Sequence, residues 1–230
     1  MFSDFDFEVI VRSLPYLLKE GLTFTLTLTA LATVGGIVLG TVIAMARLSS
    51  YRALRLAGAG YVNFLRSLPL VLVIFWFYFL VPYVLQWITD APRPVPVGAF
   101  TSALITFTIF EAAYFSEIIR AGIQSIPSGQ PAAAQALGLN YWQSMRYVIL
   151  PQAFRNMLPV MLTQTIILFQ DTSLVYVVSL PDFLGAASKI AQRDGRLVEM
   201  YLFVAVVYFV ISFVASRLVK RLQARVAIIR

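Results

Sequence analysis

The polar side chains best placed to bind a solute lie in one otherwise apolar stretch of the sequence, residues 156–181. Asp171 is the only charged residue in that stretch, and Gln164 precedes it by seven residues, or two helical turns. Both side chains therefore face the same side of a helix. The full candidate group is Gln164, Gln170, Asp171, Thr172, Ser173 and, from an earlier stretch, Glu111. Amides, hydroxyls and carboxylates within such an apolar stretch indicate recognition of a polar substrate on its way through a membrane.

These residues also have a structural interpretation, because a polar side chain inside a membrane either lines a cavity or bonds to a neighbouring helix. Glu111 lies about 21 Å along its helix from Val97 at 1.5 Å per residue, and both interpretations stay open for it. Glu117 and Arg120 are three residues apart, so we expect them to pair along one helix and to serve structure.

The composition excludes most catalytic chemistry. The 230 residues contain no histidine and no cysteine, which removes the commonest general base and the usual metal ligands. A phosphate-binding loop requires Gly-Lys followed by Ser or Thr, and no lysine in this chain follows a glycine. We therefore expect no enzyme, no metal site and no cofactor in this chain.

The elements that must position the polar group are membrane-spanning helices. Hydrophobic residues make up 60% of the chain and charged residues 13%, a composition typical of integral membrane proteins. A helix needs roughly 20 apolar residues to cross the hydrocarbon core. The apolar runs predict five spans, at residues 21–46, 67–89, 96–118, 156–179 and 199–217. The predicted fold class is thus an all-α integral membrane protein.

Two short segments flank the predicted transmembrane domain of residues 20–217. Residues 1–19 begin with three acidic side chains, unlike the basic leader of a secretory signal. We expect this segment to lie at the outer interface, with Pro15 at a helix start or bend. Residues 218–230 are predicted to form a basic cytoplasmic tail.

The distribution of lysine and arginine predicts the orientation. With the N-terminus outside, the outer segments hold six basic and nine acidic residues, whereas the inner segments hold twelve basic residues, Arg66 among them, and only two acidic ones. Because inner loops carry the excess of Lys and Arg, we predict an outer N-terminus and a cytoplasmic C-terminus. The net charge of +7 then reflects topology and attraction to anionic membrane lipid. It does not indicate nucleic acid as a partner.

This orientation places residues 120–155 in a cytoplasmic loop. Ser128 can cap a short alanine-rich helix, Gly138 can end it, and Asn140 with Gln143 can cap a second helix that stops before Pro151. The small side chains of the first helix suit insertion into a groove of another protein. The alternative is an amphipathic loop that packs on the membrane surface.

Residues 129–151 resemble the EAA loop of the membrane subunits of ABC importers, in which Glu-Ala-Ala, a glycine, an aliphatic residue and Leu-Pro recur at fixed spacing. The matching residues are Ala133, Ala134, Gly138, Val148, Leu150 and Pro151. Ala132 stands at the acidic position of the motif, and an upstream Glu-Ala-Ala at 111–113 is out of register. A charge contact with the ATPase that some relatives make is therefore expected to be missing.

Four other segments resemble the polar amino acid permeases, and among them most of all the glutamate/aspartate permease subunits. They are LRSLPL at 65–70, AAYFSEIIRAGI at 112–123, LPQAFR at 150–155 and QDTSL at 170–174. The resemblance implies the type I ABC importer permease fold in a bacterial plasma (inner) membrane. It also implies ATP-driven import of polar amino acids by alternating access, with glutamate or aspartate as the expected substrate. Glutamine, basic amino acids or cystine are the alternatives.

The resemblance further implies three partners: a cytoplasmic ABC ATPase dimer that binds ATP and Mg, a second permease subunit that is identical or homologous, and an extracytoplasmic amino-acid-binding protein. The helix at 128–138 would be the coupling helix. The residues expected to contact the ATPase are Ser128, Gly129, Gln130, Ala132, Ala133, Ala134, Ala136, Leu137, Gly138, Arg146, Leu150 and Pro151. A secondary transporter or a channel is a remote alternative, because the sequence shows no internal repeat and a channel has no need of such a loop.

Two features leave questions for the structure. Carboxylates along a pathway would repel glutamate, so Glu111 and Asp171 are expected to be paired with arginine, protonated or turned away from the substrate. Gly36 and Gly40 form a G-x-x-x-G pattern that allows close helix contact, either between subunits or within one subunit.

Overall fold

The chain is almost entirely helical over residues 5–226, the part that the computed structural model describes. The helices are α1 (Phe7–Tyr16), α2 (Thr23–Leu48), α3 (Arg52–Arg66), α4 (Leu70–Phe75), α5 (Val81–Thr89), α6 (Ala99–Gln124), α7 (Gly129–Ala136), α8 (Tyr141–Ser144), α9 (Leu150–Asp171), α10 (Phe183–Asp194) and α11 (Leu197–Val226). Three π-helical segments, Leu17–Leu22, Trp76–Leu80 and Met145–Ile149, join α1 to α2, α4 to α5 and α8 to α9. A 3-10 segment, Thr172–Val178, extends α9.

Five helical runs among the described residues are long and apolar enough to cross a membrane. They are Phe7–Leu48, Leu70–Thr89, Ala99–Gln124, Tyr141–Val178 and Leu197–Arg225. The predicted all-α class and the predicted number of spans are thus confirmed. The sidedness of the termini stays a prediction, because the helices alone do not fix it.

The first span begins earlier than the apolar run suggests. Asp6 caps α1 by accepting hydrogen bonds from the backbone N–H groups of Glu8, at 2.8 Å, and Val9, at 3.3 Å. Pro15 does not start a helix but lies in the last turn of α1, where the π-helical segment follows directly. Much of the predicted outer segment is therefore one helix with the first span, while residues 1–4 and, in the tail, 227–230 lie outside the described residues. Its position at the outer interface stays a prediction.

The centre of the fold is the contact between α2 and α6. Phe24 and Phe100 meet at the N-terminal ends of the two helices, with ring centroids 5.3 Å apart. Farther along, a Cβ atom on Gly40 would lie 2.9 Å from the carbonyl oxygen of Ala112, and one on Gly36 would lie 3.1 Å from Glu111 Cβ. The G-x-x-x-G pattern therefore serves helix packing within the subunit.

The position of α3 shows that assigning Arg66 to an inner segment was wrong. Tyr61 donates a hydrogen bond from its hydroxyl to the carbonyl oxygen of Ile109, at 2.5 Å, and the Arg66 guanidinium lies 5.4 Å from the ring centroid of Tyr114. Tyr114 is ten residues, or about 15 Å, from the C-terminal end of α6. Arg66 thus lies beside the middle of the third span. A charge-free run cannot reveal this, because Arg66 itself ends the run.

The expectation that the second loop helix stops before Pro151 was wrong. The chain stays helical from Tyr141 to Val178, so the helix that contains the fourth span starts well before residue 156. Pro151 lies in the first turn of α9, directly after the π-helical segment. A proline is tolerated there because its missing N–H and fixed φ suit the start of a helix.

Candidate functional site

Glu111 is buried at the middle of α6 and is held by Gln164 of α9. The Gln164 side-chain amide donates to both carboxylate oxygens, at 3.1 Å to Oε2 and 3.4 Å to Oε1. On the other side Gly36 of α2 packs against Glu111 Cβ. Two of the predicted polar residues therefore meet in the centre of the span bundle, and the amide supplies the donor that a buried carboxylate requires.

Asp171 ends α9 and is half-buried. It makes no hydrogen bond or ion pair with the described residues, but it is close enough to Glu111 and Tyr114 to act on both electrostatically.

Gln170 and Thr172 are turned away from this carboxylate pair. The Gln170 amide donates to Ser212 Oγ of α11, at 3.0 Å, and the buried Thr172 hydroxyl donates to the carbonyl oxygen of Phe169, at 2.7 Å. For these two residues the structural interpretation applies, since their polar atoms are already paired within the fold. Ser173 beside them is half-buried.

Arg66 is the functional candidate that sequence reasoning missed. It is exposed, and its guanidinium lies over the Tyr114 ring, within the range of a cation–π contact. Tyr114 follows Glu111 by three residues and therefore lies on the same face of α6. The signal in the sequence was an arginine directly before Ser-Leu-Pro, where the chain breaks between α3 and α4. Arg66 therefore brings a positive charge beside the face of α6 that also carries the Glu111 carboxylate.

A second charged cluster connects the C-terminal ends of α2 and α6. Glu117 pairs with Arg120, as the spacing predicts, and also with Arg47 of α2, at 2.5 Å. The Arg47 guanidinium donates to Ser116 Oγ at 3.4 Å. These contacts connect neighbouring helices, so the structural role predicted for Glu117 is supported by its geometry.

The predicted loop helix is present as α7, and its end has the expected geometry. Gly138 has a φ of +79°. The Gly138 N–H donates to the carbonyl oxygen of Gln135, at 2.9 Å, and the Leu139 N–H donates to that of Ala134, at 3.1 Å. This pair of bonds is a Schellman motif. Ser128 occupies the N-cap position, but its side chain makes no capping hydrogen bond.

The second loop helix is capped as predicted. Asn140 accepts a hydrogen bond from the Gln143 N–H, and the Gln143 side chain accepts one from the Asn140 N–H, both at 2.9 Å. The Gln152 amide then donates to Gln130 Oε1, at 3.2 Å, and joins α9 to α7. The predicted coupling residues are thus held on one firmly connected loop at the end of the fourth span.

Comparison with known proteins identifies the family. Residues 36–228 match the model of the binding-protein-dependent transport system inner membrane component. The chain belongs to this family. As an inner membrane component it is a multi-pass transport subunit rather than an enzyme, and a binding-protein-dependent ABC system implies a binding protein and an ATPase as partners.

Curated relatives match over nearly the whole chain of this family member. The glutamate/aspartate import permease protein GltK of Escherichia coli O157:H7 is 55% identical over 97% of this chain and 99% of its own length. The glutamine transport system permease protein GlnP of Escherichia coli K12 is 34% identical over 98% of this chain and 99% of its own length.

A solved structure has the same fold. A crystal structure of an amino acid ABC transporter with histidines superposes with a TM-score of 0.86 at 33% sequence identity, over 96% of this chain and 98% of that one. The five-span ABC importer permease fold implied by the sequence motifs is therefore confirmed.

Proposed function

We propose that this permease subunit imports glutamate and aspartate. The substrate assignment is supported by the 55% identity to GltK over 97% of the chain, against 34% to the glutamine permease GlnP. Import of another polar amino acid, such as glutamine, is the second candidate, because that relative also aligns over nearly its whole length.

The polar group at mid-membrane is the proposed contact with the substrate. Asp171 would face the ammonium group and Arg66 the carboxylates, since a guanidinium forms charge-assisted hydrogen bonds with carboxylate groups. The positive charge of Arg66 also offsets the repulsion between the acidic side chains of the pathway and an acidic substrate. Glu111 is already engaged by Gln164, so we assign it the task of holding α6 and α9 in register at the pathway.

The cytoplasmic loop is the proposed site of coupling to the ATPase. Nucleotide-driven movement of the ATPase would pass through α7 and α8 into the continuous helix of the fourth span and open the pathway alternately to each side. The distribution of charge supports the sidedness: with Arg66 moved beside the third span, the inner segments still hold eleven basic residues against two acidic ones.

The decisive experiment measures ATP hydrolysis in proteoliposomes that contain this subunit, its permease partner and its ATPase, with binding protein added in amino-acid-loaded form. Glutamate- and aspartate-loaded binding protein are expected to stimulate hydrolysis, and Gly138→Asp is expected to abolish the stimulation. Gly195→Asp is the matched control, because Gly195 also has a positive φ, +69°, in a turn remote from the loop.

Each result points to one part of the proposal. Stimulation by glutamine alone would transfer the substrate assignment to the second candidate. If Gly138→Asp behaves like Gly195→Asp, the loop does not couple the two subunits, and if no ATPase associates, the importer assembly itself is wrong.

A further inference from the structure

Three large side chains are exposed at the turn between α7 and α8. The exposed fractions are 82% for Leu137, 78% for Trp142 and 66% for Tyr141. The Tyr141 and Trp142 rings pack edge to face, with centroids 5.4 Å apart. We call Leu137, Tyr141 and Trp142 the aromatic surface. Large apolar groups grouped in this way are typical of a protein or membrane contact.

The aromatic surface lies far along its helix from the end of the third span. Asn156 donates a hydrogen bond to Ser125 Oγ, at 2.9 Å, so Asn156 lies level with the end of the third span. Trp142 precedes Asn156 by fourteen residues of continuous helix, or about 20 Å along the helix at 1.5 Å per residue. A headgroup layer is only about 5–8 Å thick on each side. The distance along the helix exceeds the thickness of a headgroup layer, so we take a protein rather than lipid as the partner of the aromatic surface.

The charges in the segment that contains the aromatic surface all have one sign. Between Glu117 and Asp171 the sequence contains no acidic residue, and its three charges are all arginines. Arg120 is paired with Glu117, whereas Arg146 and Arg155 are exposed and make no ion pair among the described residues. Ala132, at the acidic position of the loop motif, is exposed as well. Any complementary negative charge must therefore come from the partner.

The backbone holds these side chains ready for contact. Leu137 lies on the α7 side of the Schellman turn, and Tyr141 and Trp142 follow the Asn140–Gln143 capping box. Both motifs satisfy the free backbone groups at helix ends and fix the local conformation. Little order has to be gained on binding, and this favours affinity.

We propose that the ATPase subunit receives Trp142 in an apolar pocket and surrounds that pocket with acidic side chains that face Arg146. This inference rests on the proposed function, in which the ATPase docks on this loop. It specifies the partner's surface: an apolar floor for the aromatic surface and a negative rim. Trp142 is the principal anchor, since tryptophan and arginine dominate the energetic centres of protein interfaces.

The test titrates the ATPase subunit of the same importer onto the complete permease complex in lipid nanodiscs, at several salt concentrations. Trp142→Ala should weaken binding at least tenfold without changing its salt dependence, and Trp142→Phe should restore most of the affinity. Arg146→Ala should reduce the salt dependence, and Arg146→Glu should weaken binding further. Arg155→Ala is the control, because this exposed arginine lies next to Asn156, close to the membrane, and its removal should leave affinity and salt dependence as in the wild type.

The results separate this inference from the importer assignment. Wild-type affinity in Trp142→Ala would overturn the pocket, and unchanged or tighter binding by Arg146→Glu would overturn the acidic rim, while the ATPase would remain the partner. No binding by the wild-type complex would overturn the proposed function and this inference together.

Discussion

A carboxylate inside a membrane protein is retained only where something stabilises it, and the residues around Glu111 illustrate two solutions. Glu111 is buried, and the side-chain nitrogen of Gln164 donates to both of its carboxylate oxygens. Asp171 lies seven residues after Gln164 in α9. It has no such donor among the described residues and is only half-buried. The same functional group is therefore bonded to a neighbouring helix in one position and has no donor among the described residues in the other.

The charge of Arg66 is expected to control the affinity for acidic substrates. Arg66→Gln removes a charge-assisted hydrogen bond worth about 1.5–3 kcal/mol, so KM for glutamate uptake should rise about tenfold or more, while assembly with the ATPase is unchanged. The measurement is uptake by proteoliposomes as a function of the concentration of glutamate-loaded binding protein. Arg52→Gln is the matched control, because Arg52 is an exposed arginine at the other end of α3. Equal KM values in the two variants would remove Arg66 from the pathway.

Sequence reasoning found the polar group but not its internal arrangement. The two-turn spacing of Gln164 and Asp171 predicted a shared helix face, and the pairing of Gln164 with Glu111 is consistent with that face pointing into the bundle. The spacing could not predict that Gln170 bonds to Ser212, because helix periodicity gives a direction and not a partner. Arg66 was missed because spans were predicted from charge-free runs, and every arginine ends such a run.

At the scale of elements, close packing of α2 against α6 depends on glycine. Gly40→Ala would place a Cβ atom 2.9 Å from the Ala112 carbonyl oxygen and 2.9 Å from Phe115 Cβ. Backbone cannot yield as a flexible side chain does, so overpacking should cost about 1–3 kcal/mol. The variant complex should unfold at a lower temperature in detergent than the wild type, as measured by the loss of its monodisperse gel-filtration peak after heating.

The control for this prediction is Gly60→Ala. A Cβ on Gly60 meets nothing within 4 Å, and alanine favours a helix more than glycine does, so this variant should match or exceed the wild type. Equal stability of Gly40→Ala and Gly60→Ala would show that α2 and α6 can move apart without a loss of stability.

Element boundaries were predicted well where capping chemistry defines them and poorly where a proline does. Gly138 and the Asn140–Gln143 pair act through local backbone bonds, and the structure contains both. Pro151 looked like a stop signal, but its effect depends on its place within a helix. After a π-helical segment it begins a new helical register, and the fourth span continues.

At the scale of the whole molecule, sidedness decides which surface meets which partner. The aromatic surface and the inner ion-pair cluster of Arg47, Glu117 and Arg120 lie toward one end of the spans, and the turn between α5 and α6 lies toward the other. This separation follows from the helix directions, since α2 and α6 run parallel and the fourth span runs back. Only the cytoplasmic end can receive an ATPase, so an inverted orientation would be incompatible with the proposed coupling loop.

The orientation can be measured directly because the chain contains no cysteine, so a single introduced thiol is the only one in this subunit. Arg93→Cys lies in the loop between α5 and α6, and Gln223→Cys lies near the end of α11; both positions are exposed. In right-side-out vesicles a membrane-impermeant maleimide should label Arg93→Cys and leave Gln223→Cys unlabelled, and inverted vesicles should give the opposite pattern. Labelling of Gln223→Cys from outside would reverse the predicted sidedness. The basic inner segments would then oppose the positive-inside rule, and the aromatic surface would face away from every source of ATP.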